Sequence, residues 1–271
     1  MPTIALSTTE LAYTDRGAGP PVLLVHGFPL DHTMWSAQID VLADRCRVIA
    51  PDLRGFGQSS LGNADPQRGV SMEQYAEDLA ELLDSLSIRE PILLVGFSMG
   101  GYIAWQFVRK YANRLRALVQ CDTKAAADTD EARANRLRMA EKIFDWGAAR
   151  VAEMMGPKLF ARRTFETKPE VVEAVRRIVE RTSPAAIAAA QRGMAERPDM
   201  TSFLPMIKVP AMVLVGADDA ISPPEEMRSI AAAIPNAKFV EIPDAGHMTT
   251  MENPAAVNEQ FSRFVSNIQP A

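Results

Sequence analysis

Short runs of apolar residues recur along this chain, and the stretches between them carry apolar residues at helical spacing. The runs are four to seven residues long, which is typical of strands buried on both faces of a sheet. Two further segments, 4–6 and 11–14, are flanked by polar residues and predict an antiparallel pair of strands. Strands that alternate with helices indicate a mainly parallel, doubly wound α/β sheet. The apolar runs are Val22–Val25, Arg47–Ala50, Ile92–Val95, Leu115–Cys121, Met212–Val215 and Lys238–Ile242.

Capping signals delimit several of the intervening helices. Ser71, with Gln74 three residues later, forms a capping-box pattern before apolar positions that share one helix face. Near the end of the chain, Asn253 is predicted to be an N-cap and Pro254 the first helical residue. Ser222 is predicted to cap the helix that follows it. These signals place helices between the strands, as an α/β fold requires.

The segment 124–205 breaks this alternation, because it contains helical patterns and no convincing strand. An all-helical insertion between two strands of one sheet predicts a cap over the carboxyl ends of the strands. We therefore expect a core domain of residues 1–123 and 206–271, with an eight-stranded sheet, and a helical cap of residues 124–205 inserted after the sixth strand. Phe144 and Trp146, together with methionines of the cap, are candidates for an apolar substrate pocket.

The net charge of −5 gives no reason to expect binding to nucleic acid. The segment 124–205 carries 15 Lys and Arg against 12 Asp and Glu, so its charge is +3 and that of the remainder is −8. A slightly basic cap over an acidic body favours an anionic substrate, such as a carboxylated lactone. Most of these charges are nevertheless expected on solvated helix faces, so charge adds little to the choice of substrate.

Composition excludes several other classes of protein. The apolar runs are too short to span a bilayer, and the first ten residues lack the pattern of a signal peptide, so we expect a cytoplasmic protein without a membrane partner. Cys46 and Cys121 lie beside predicted strands and are expected to be buried free thiols. With three histidines and no Cys-x-x-Cys or His-Glu-x-x-His pattern, no metal site is expected.

The most informative residue is Ser98, which lies in the segment Gly96–Gly100, directly after the apolar run Ile92–Val95. A helical pattern follows at once. A serine at a sharp turn between a strand and a helix is held at the helix N-terminus, where the local field favours negative charge. This context predicts a nucleophile elbow.

A serine needs a base to take its proton and a third group to orient that base. In enzymes with this elbow, the acid and then the base follow the serine along the chain. Of the three histidines, His247 alone follows Ser98, on a glycine-bearing loop after the last predicted strand. The acid should lie after Met212–Val215, where Asp218 and Asp219 are neighbours that spacing alone does not separate.

An acyl-transfer site also needs two backbone N–H groups directed at the developing oxyanion. The residue after the nucleophile, Met99, should supply one. The loop after Val22–Val25 should supply the other, and its best candidate is Phe28. His26 on this loop is expected to shape the loop by hydrogen bonding. His32 is expected either to support the site or to face the substrate, and Met248 is a further candidate pocket residue.

Taken together, these motifs resemble the α/β-hydrolase superfamily over essentially the whole chain. The acid motif of that family, Gly-x-x-Asp-x-x-x-Pro, aligns Asp219 rather than Asp218 with the catalytic acid. The segment that begins at Asp52 is usually structural in the family. The matching segments are His26–Pro29, Asp52–Ser59, Gly96–Gly101, Gly216–Pro223 and Gly246–His247.

The resemblance implies a serine hydrolase of the carboxylesterase or 3-oxoadipate enol-lactonase branch, with Ser98, His247 and Asp219 as its triad and no cofactor. Haloalkane dehalogenases and epoxide hydrolases have an aspartate where this chain has Ser98. The expected partner is a small ester or lactone, and a homo-oligomer is compatible with the sequence. Three alternatives stay open: an enol-lactonase, a cofactor-free perhydrolase, and a receptor with a hydrolase fold that binds a small molecule.

Overall fold

The structure is a computed structural model that describes residues 1–268. Its described part contains one eight-stranded sheet with the strand order β1-β2-β4-β3-β5-β6-β7-β8. The first two strands pair antiparallel, β2 also pairs antiparallel with β4, and the remaining pairs are parallel. This confirms the predicted fold class. The strands are β1 Thr3–Ala5, β2 Glu10–Arg16, β3 Pro21–Val25, β4 Arg47–Pro51, β5 Ile92–Phe97, β6 Leu115–Cys121, β7 Ala211–Gly216 and β8 Lys238–Ile242.

Every residue of β3, β5 and β7 is buried, because helices cover the faces of the sheet. The chain runs from β3 outward to β4 and then returns to place β5 on the other side of β3. At such a reversal of strand order a crevice opens at the carboxyl ends of the strands. The helices are α1 Ser36–Leu42, α2 Met72–Ser85, α3 Met99–Lys110, α4 Asp130–Leu159, α5 Arg162–Thr167, α6 Pro169–Glu180, α7 Pro184–Ala195, α8 Pro224–Ala233, α9 Thr249–Glu252 and α10 Pro254–Asn267.

The helical insertion after the sixth strand consists of α4 to α7. Its first element, α4, is long and is kinked where Gly147 has φ 72° and ψ 167°. The short α5 was not predicted. Treatment of residues 124–205 as a separate subdomain stays a prediction about domains. Among residues 1–268, no helix combines the length and apolarity needed to cross a membrane.

The predicted caps form in part. Ser71 Oγ accepts a hydrogen bond from the Gln74 N–H at 3.0 Å, but the Gln74 side chain bonds Asp78 instead of completing a capping box. Asn253 caps α10 through the N–H of Ala256. Cys46 and Cys121 are buried free thiols, as predicted, and burial raises the pKa of both.

Candidate active site

Ser98 lies between the last residue of β5 and the first residue of α3, with φ 51° and ψ −113°. A non-glycine residue rarely adopts a positive φ, so neighbouring contacts must hold it there. The Ser98 N–H donates to the Cys121 carbonyl at 2.9 Å, and the Ser98 carbonyl accepts from Thr123 Oγ1 at 2.7 Å. A Cβ on Gly100 would lie 2.3 Å from the carbonyl oxygen of Val25, so this glycine lets α3 approach β3 closely. The elbow is therefore built as the sequence predicts.

Ser98, His247 and Asp219 form one hydrogen-bonded chain. His247 Nε2 lies 3.0 Å from Ser98 Oγ, and His247 Nδ1 lies 2.8 Å from Asp219 Oδ2. The Asp219 side chain is fully buried and that of His247 is 4% exposed. This is the arrangement in which an imidazole can take a proton from a serine while a carboxylate holds the ring.

The loop after β7 separates the two candidate acids. Asp218 is exposed, whereas Asp219 is buried and turns its carboxylate towards His247. Asp219 Oδ1 accepts hydrogen bonds from the N–H groups of Ile221, at 2.7 Å, and Ser222, at 3.0 Å. The predicted helix cap by Ser222 is wrong. Helix α8 begins at Pro224, with Pro223 at the N-cap position and no capping side chain, because the loop is organised around Asp219 instead.

The two predicted oxyanion donors lie on segments that contact each other. A Cβ on Gly27 would lie 2.6 Å from the Phe97 ring, so the loop that carries Phe28 packs against the elbow. Met99 is the first residue of α3, where a backbone N–H has no partner within the helix. Within residues 1–268, neither the Phe28 nor the Met99 N–H donates to a protein acceptor. Both N–H groups are therefore available as donors, and their role as the oxyanion hole stays a prediction.

His26 shapes this loop, as predicted. The fully buried His26 has Nδ1 2.9 Å from the Gly27 carbonyl, and its Nε2 accepts from the Leu53 N–H at 2.9 Å. Burial lowers the pKa of His26, and the hydrogen bond to Gly27 only partly opposes that effect. A neutral imidazole that donates from Nδ1 and accepts at Nε2 fits both contacts.

Comparisons with known proteins identify the family of this chain. The family model of the alpha/beta hydrolase fold matches residues 20–254. The chain belongs to this family. A thermophilic esterase from Thermogutta terrifontis, with malate bound, is 46% identical and superposes with a TM-score of 0.96 over 100% of both chains. The enol-lactonase of Burkholderia xenovorans LB400 is 28% identical, with a TM-score of 0.90 over 98% of this chain and 100% of that one. A bromoperoxidase from Bacillus anthracis is 25% identical, with a TM-score of 0.83 over 96% of each chain.

A second His–Asp pair in this alpha/beta hydrolase joins His32 to Asp52. His32 Nδ1 lies 2.6 Å from Asp52 Oδ1, which also accepts the His32 N–H at 2.9 Å, and Asp52 Oδ2 accepts the Gln58 N–H at 2.8 Å. Burial alone would raise the pKa of Asp52, but these hydrogen bonds outweigh it and lower the pKa. Asp52 therefore organises the loops after β3 and β4, and the placing of His32 in the substrate pocket stays a prediction.

A cavity of about 490 Å³ lies between the kinked α4 and the loop that carries Asp219. Trp146 lines it, and Ile221 connects it to the Asp219 loop, whereas Ser98 and His247 are not among its lining residues. The placing of Trp146 in the substrate pocket stays a prediction. Phe144 does not line this cavity and is 51% exposed, because the buried stripe of α4 runs through Ala140 and Ile143 instead. Met248 is fully buried and does not line it either. The lining residues are Asn135, Arg138, Met139, Trp146, Met154, Met155, Lys158 and Ile221.

Sequence reasoning missed two buried acids beside His247. Asp122 follows β6 directly and lies beside Asp219 and His247. Glu252 Oε1 accepts from the Gly246 N–H at 2.9 Å, and its Oε2 accepts from the Ala161 N–H at 2.8 Å, so it ties the His247 loop to the helical insertion. Burial raises the pKa of Glu252, although these hydrogen bonds oppose the rise. The sequence signal available for Asp122 was its position directly after a buried strand. The sequence contained no such signal for Glu252.

Two clusters bring potential metal-binding atoms within 4.8 Å of one another: Asp122, Asp219 and His247 form one, and Asp31, His32 and Asp52 form the other. In both clusters the imidazole Nδ1 meets a carboxylate oxygen at hydrogen-bonding distance. This is the arrangement of a His–Asp pair, whereas ligands of a bound zinc surround the ion at about 2.0–2.2 Å. The expectation of no metal and no organic cofactor stays a prediction.

Proposed function

We propose that this protein is a serine hydrolase that cleaves a small carboxylic ester or lactone through an acyl-enzyme. The observation that carries the proposal is the contact of 3.0 Å between Ser98 Oγ and His247 Nε2, on an imidazole whose Nδ1 is 2.8 Å from Asp219. A strained serine, a base and a buried carboxylate in this order are what acyl transfer needs.

In the proposed mechanism Ser98 attacks the carbonyl carbon while His247 takes its proton. Asp219 holds the imidazole in the tautomer that accepts at Nε2. The Phe28 and Met99 N–H groups stabilise the tetrahedral oxyanion, and loss of one such donor costs on the order of 10²–10³ in rate. His247 then returns the proton to the leaving alcohol, and a water molecule activated by the same imidazole hydrolyses the acyl-enzyme.

The substrate class is supported by the neighbours and by the cavity. One neighbour is an esterase and another an enol-lactonase, and both superpose over nearly the whole chain. Met139, Trp146 and Met155 are apolar residues of the cavity lining, and Arg138 and Lys158 add positive charge to it. This lining suits a small acyl or alcohol group that is apolar and carries an anionic end. An ester or a lactone with a carboxylate has that form.

A specific observation also favours a second activity. The neighbour from Bacillus anthracis bears the name of a bromoperoxidase, which implies use of peroxide. If hydrogen peroxide instead of water attacked the acyl-enzyme, the product would be a peracid and Ser98 would be regenerated in the same way. Comparison of peracid formation with ester hydrolysis on one substrate separates the two activities. Negligible peracid would remove this second candidate.

The test is a hydrolysis panel of p-nitrophenyl esters of increasing chain length, simple lactones and an enol-lactone. We expect repeated turnover of short esters or lactones, which also separates the enzyme from a receptor that reacts once per ligand.

Ser98→Ala should lower kcat about 10⁶-fold. Ser229→Ala is the matched control, since the Ser229 hydroxyl is exposed and bonds only the Glu225 carbonyl. Unchanged hydrolysis in Ser98→Ala would overturn the mechanism. A preference for the enol-lactone by several orders of magnitude would mean that the protein is an enol-lactonase and not a general esterase.

A further inference from the structure

Asp122 is a fully buried carboxyl that the proposed mechanism does not use. It follows β6 directly and has φ 48°, in the left-handed region. Its Oδ1 accepts hydrogen bonds from the Gly216 N–H at 3.0 Å and from Thr249 Oγ1 at 2.6 Å. Gly216 ends the strand before Asp219, and Thr249 begins the helix after His247. Asp122 therefore connects the two segments that carry the acid and the base.

The second oxygen of this carboxyl, Oδ2, is buried and has no hydrogen-bond partner in the described part of the chain. One Asp122 oxygen lies within 4.8 Å of both an Asp219 oxygen and a ring nitrogen of His247. Two buried carboxylates this close do not both ionise readily, because each disfavours the charge of the other. Burial first, and then the charge of Asp219, raises the pKa of Asp122 well above its usual range.

We propose that Asp122 is a positioning residue for His247, and that Asp122 supplies the supporting carboxylate when Asp219 is removed. In the intact site the Asp122 carboxyl is neutral. The proposal rests on the proposed function, because the role of Asp122 is defined through His247. The observable consequence is that Asp219→Ala should lose less activity than the same change does in a triad with a single acid.

The groups around Asp122 leave His247 as its partner. Asp219 faces it from the β7–α8 loop, Glu252 from α9 and the Cys121 thiol from β6. These three groups are neutral or anionic, so in the described structure His247 is the neighbour of Asp122 that can become a cation. When Asp219 is replaced by alanine, the charge that disfavoured ionisation of Asp122 disappears.

In that variant the charge of Asp219 no longer raises the pKa of Asp122, and an imidazolium that forms nearby favours the ionised carboxylate. The remaining gap of up to 4.8 Å to the imidazole can be bridged by one water molecule in the space of the deleted carboxylate. During acylation the Ser98 proton moves to His247 Nε2, and the negative charge of Asp122 stabilises the imidazolium. No bond to Asp122 forms, and after the alcohol leaves with the proton the imidazole is neutral again.

The test compares kcat/KM for p-nitrophenyl acetate in Asp219→Ala, Asp122→Asn and the double variant. Loss of the acid in a comparable triad costs about 10⁴-fold. Because Asp122 can replace Asp219, we expect kcat/KM to fall about 10²-fold in Asp219→Ala and about 10⁴-fold in the double variant. In Asp122→Asn the fall should be less than about tenfold. Equal losses in Asp219→Ala and the double variant would overturn the proposal. A loss in Asp122→Asn as large as in Asp219→Ala would overturn it too, since Asp122 would then be the working acid.

The pH profile distinguishes this role from a structural one. A carboxylate near the imidazole favours the imidazolium, so the acid limb of kcat/KM should lie at higher pH in Asp219→Ala than in the double variant, by about one pH unit. Coincident acid limbs would contradict the proposal, because merely structural damage would lower both profiles without shifting them. Ser98→Ala is measured beside them. If it kept its activity, the proposed function itself would fail.

Infrared spectroscopy provides a readout that does not depend on the double variant folding. The native protein at neutral pH should show the carbonyl band of a protonated carboxylic acid, and Asp122→Asn should lose it. Circular dichroism checks that Asp122→Asn is folded. A native spectrum without such a band, or a band that persists unchanged in Asp122→Asn, would overturn the neutral state assigned to Asp122.

Discussion

The molecule contains two His–Asp pairs of nearly the same geometry, and only one of them meets a serine. His247 lies 2.8 Å from Asp219, and His32 lies 2.6 Å from Asp52. Both carboxylates are buried and both follow a strand of the parallel sheet. His247 presents its Nε2 to Ser98 Oγ at 3.0 Å, whereas the His32 Nε2 has no hydrogen bond within residues 1–268.

The comparison shows that a buried carboxylate beside an imidazole does not by itself make a catalytic site. Asp52 accepts hydrogen bonds from two backbone N–H groups and contacts the ring of His32. Asp219 likewise accepts from two backbone N–H groups and contacts the ring of His247. What distinguishes the two regions is the strained Ser98 at the start of α3, which gives one imidazole a proton to take.

The largest expected effect separates the two histidines. His247→Asn should lower kcat/KM about 10⁶-fold, since removal of the base of a triad costs about as much as removal of the whole triad. His32→Asn should lower kcat/KM less than about tenfold, because the His32 ring bonds Asp52 and has no hydrogen bond to Ser98. Both variants are measured on the same p-nitrophenyl ester. A similar loss in the two variants would mean that the second pair belongs to the catalytic machinery.

A smaller effect concerns the acid beside the first pair. Burial and the charge of Asp219 raise the pKa of Asp122 in the folded chain. With Asp122 neutral at pH 7, as proposed, folding takes up a proton there, which costs up to about 1.4 kcal/mol for each pH unit above about 3.9. Asp122→Asn removes this cost, so the variant should be more stable than wild type at pH 7. The gain should shrink as the pH falls and vanish below about pH 4. Urea unfolding at several pH values measures it, and a gain independent of pH would contradict the account.

The smallest effect has the opposite sign and concerns the acid of the second pair. The folded pKa of Asp52 is lowered, because its hydrogen bonds outweigh the effect of burial. Its contribution to stability is therefore present above the unfolded value of about 3.9 and is lost as the pH falls through the folded pKa. Asp52→Asn should destabilise the fold by about 1–3 kcal/mol at pH 7, because an amide leaves one N–H without its acceptor.

The free energies of unfolding of wild type and Asp52→Asn should therefore converge at acidic pH. The difference between wild type and Asp52→Asn, measured by the same urea titration, should narrow below about pH 4. If the difference instead widened in acid, or if Asp52→Asn were more stable at pH 7, the structural role given to the second pair would be wrong.

The parts of this molecule that sequence reasoning reached are those with local signals. Buried strands are short apolar runs, Ser98 lies between a strand and a helix pattern, and His247 follows it in the chain. The parts that it missed depend on tertiary contacts. The short α5 has too few residues to show a period, and Phe144 has helical spacing like its buried neighbours but lies on the exposed side of α4.

The same limit applies to the acids. Sequence spacing left Asp218 and Asp219 equivalent, and only the family motif and then the fold of the loop separated them. Asp122 is 97 residues away from Asp219 in sequence but shares its buried environment, because β6 and β7 are neighbours in the sheet. The sequence shows that Asp122 directly follows a buried strand, but not which acid lies beside it, and it carries no signal for Glu252.

The central claim is that Ser98 is the nucleophile and that His247, not His32, activates it. The most direct measurement is covalent trapping with a fluorophosphonate, followed by mass spectrometry of the digested protein. We expect one adduct per chain, on the peptide that contains Ser98, at a rate that His32→Asn leaves nearly unchanged and His247→Asn abolishes. An adduct on another residue, or labelling of Ser98 that is equally fast in His247→Asn, would contradict the claim.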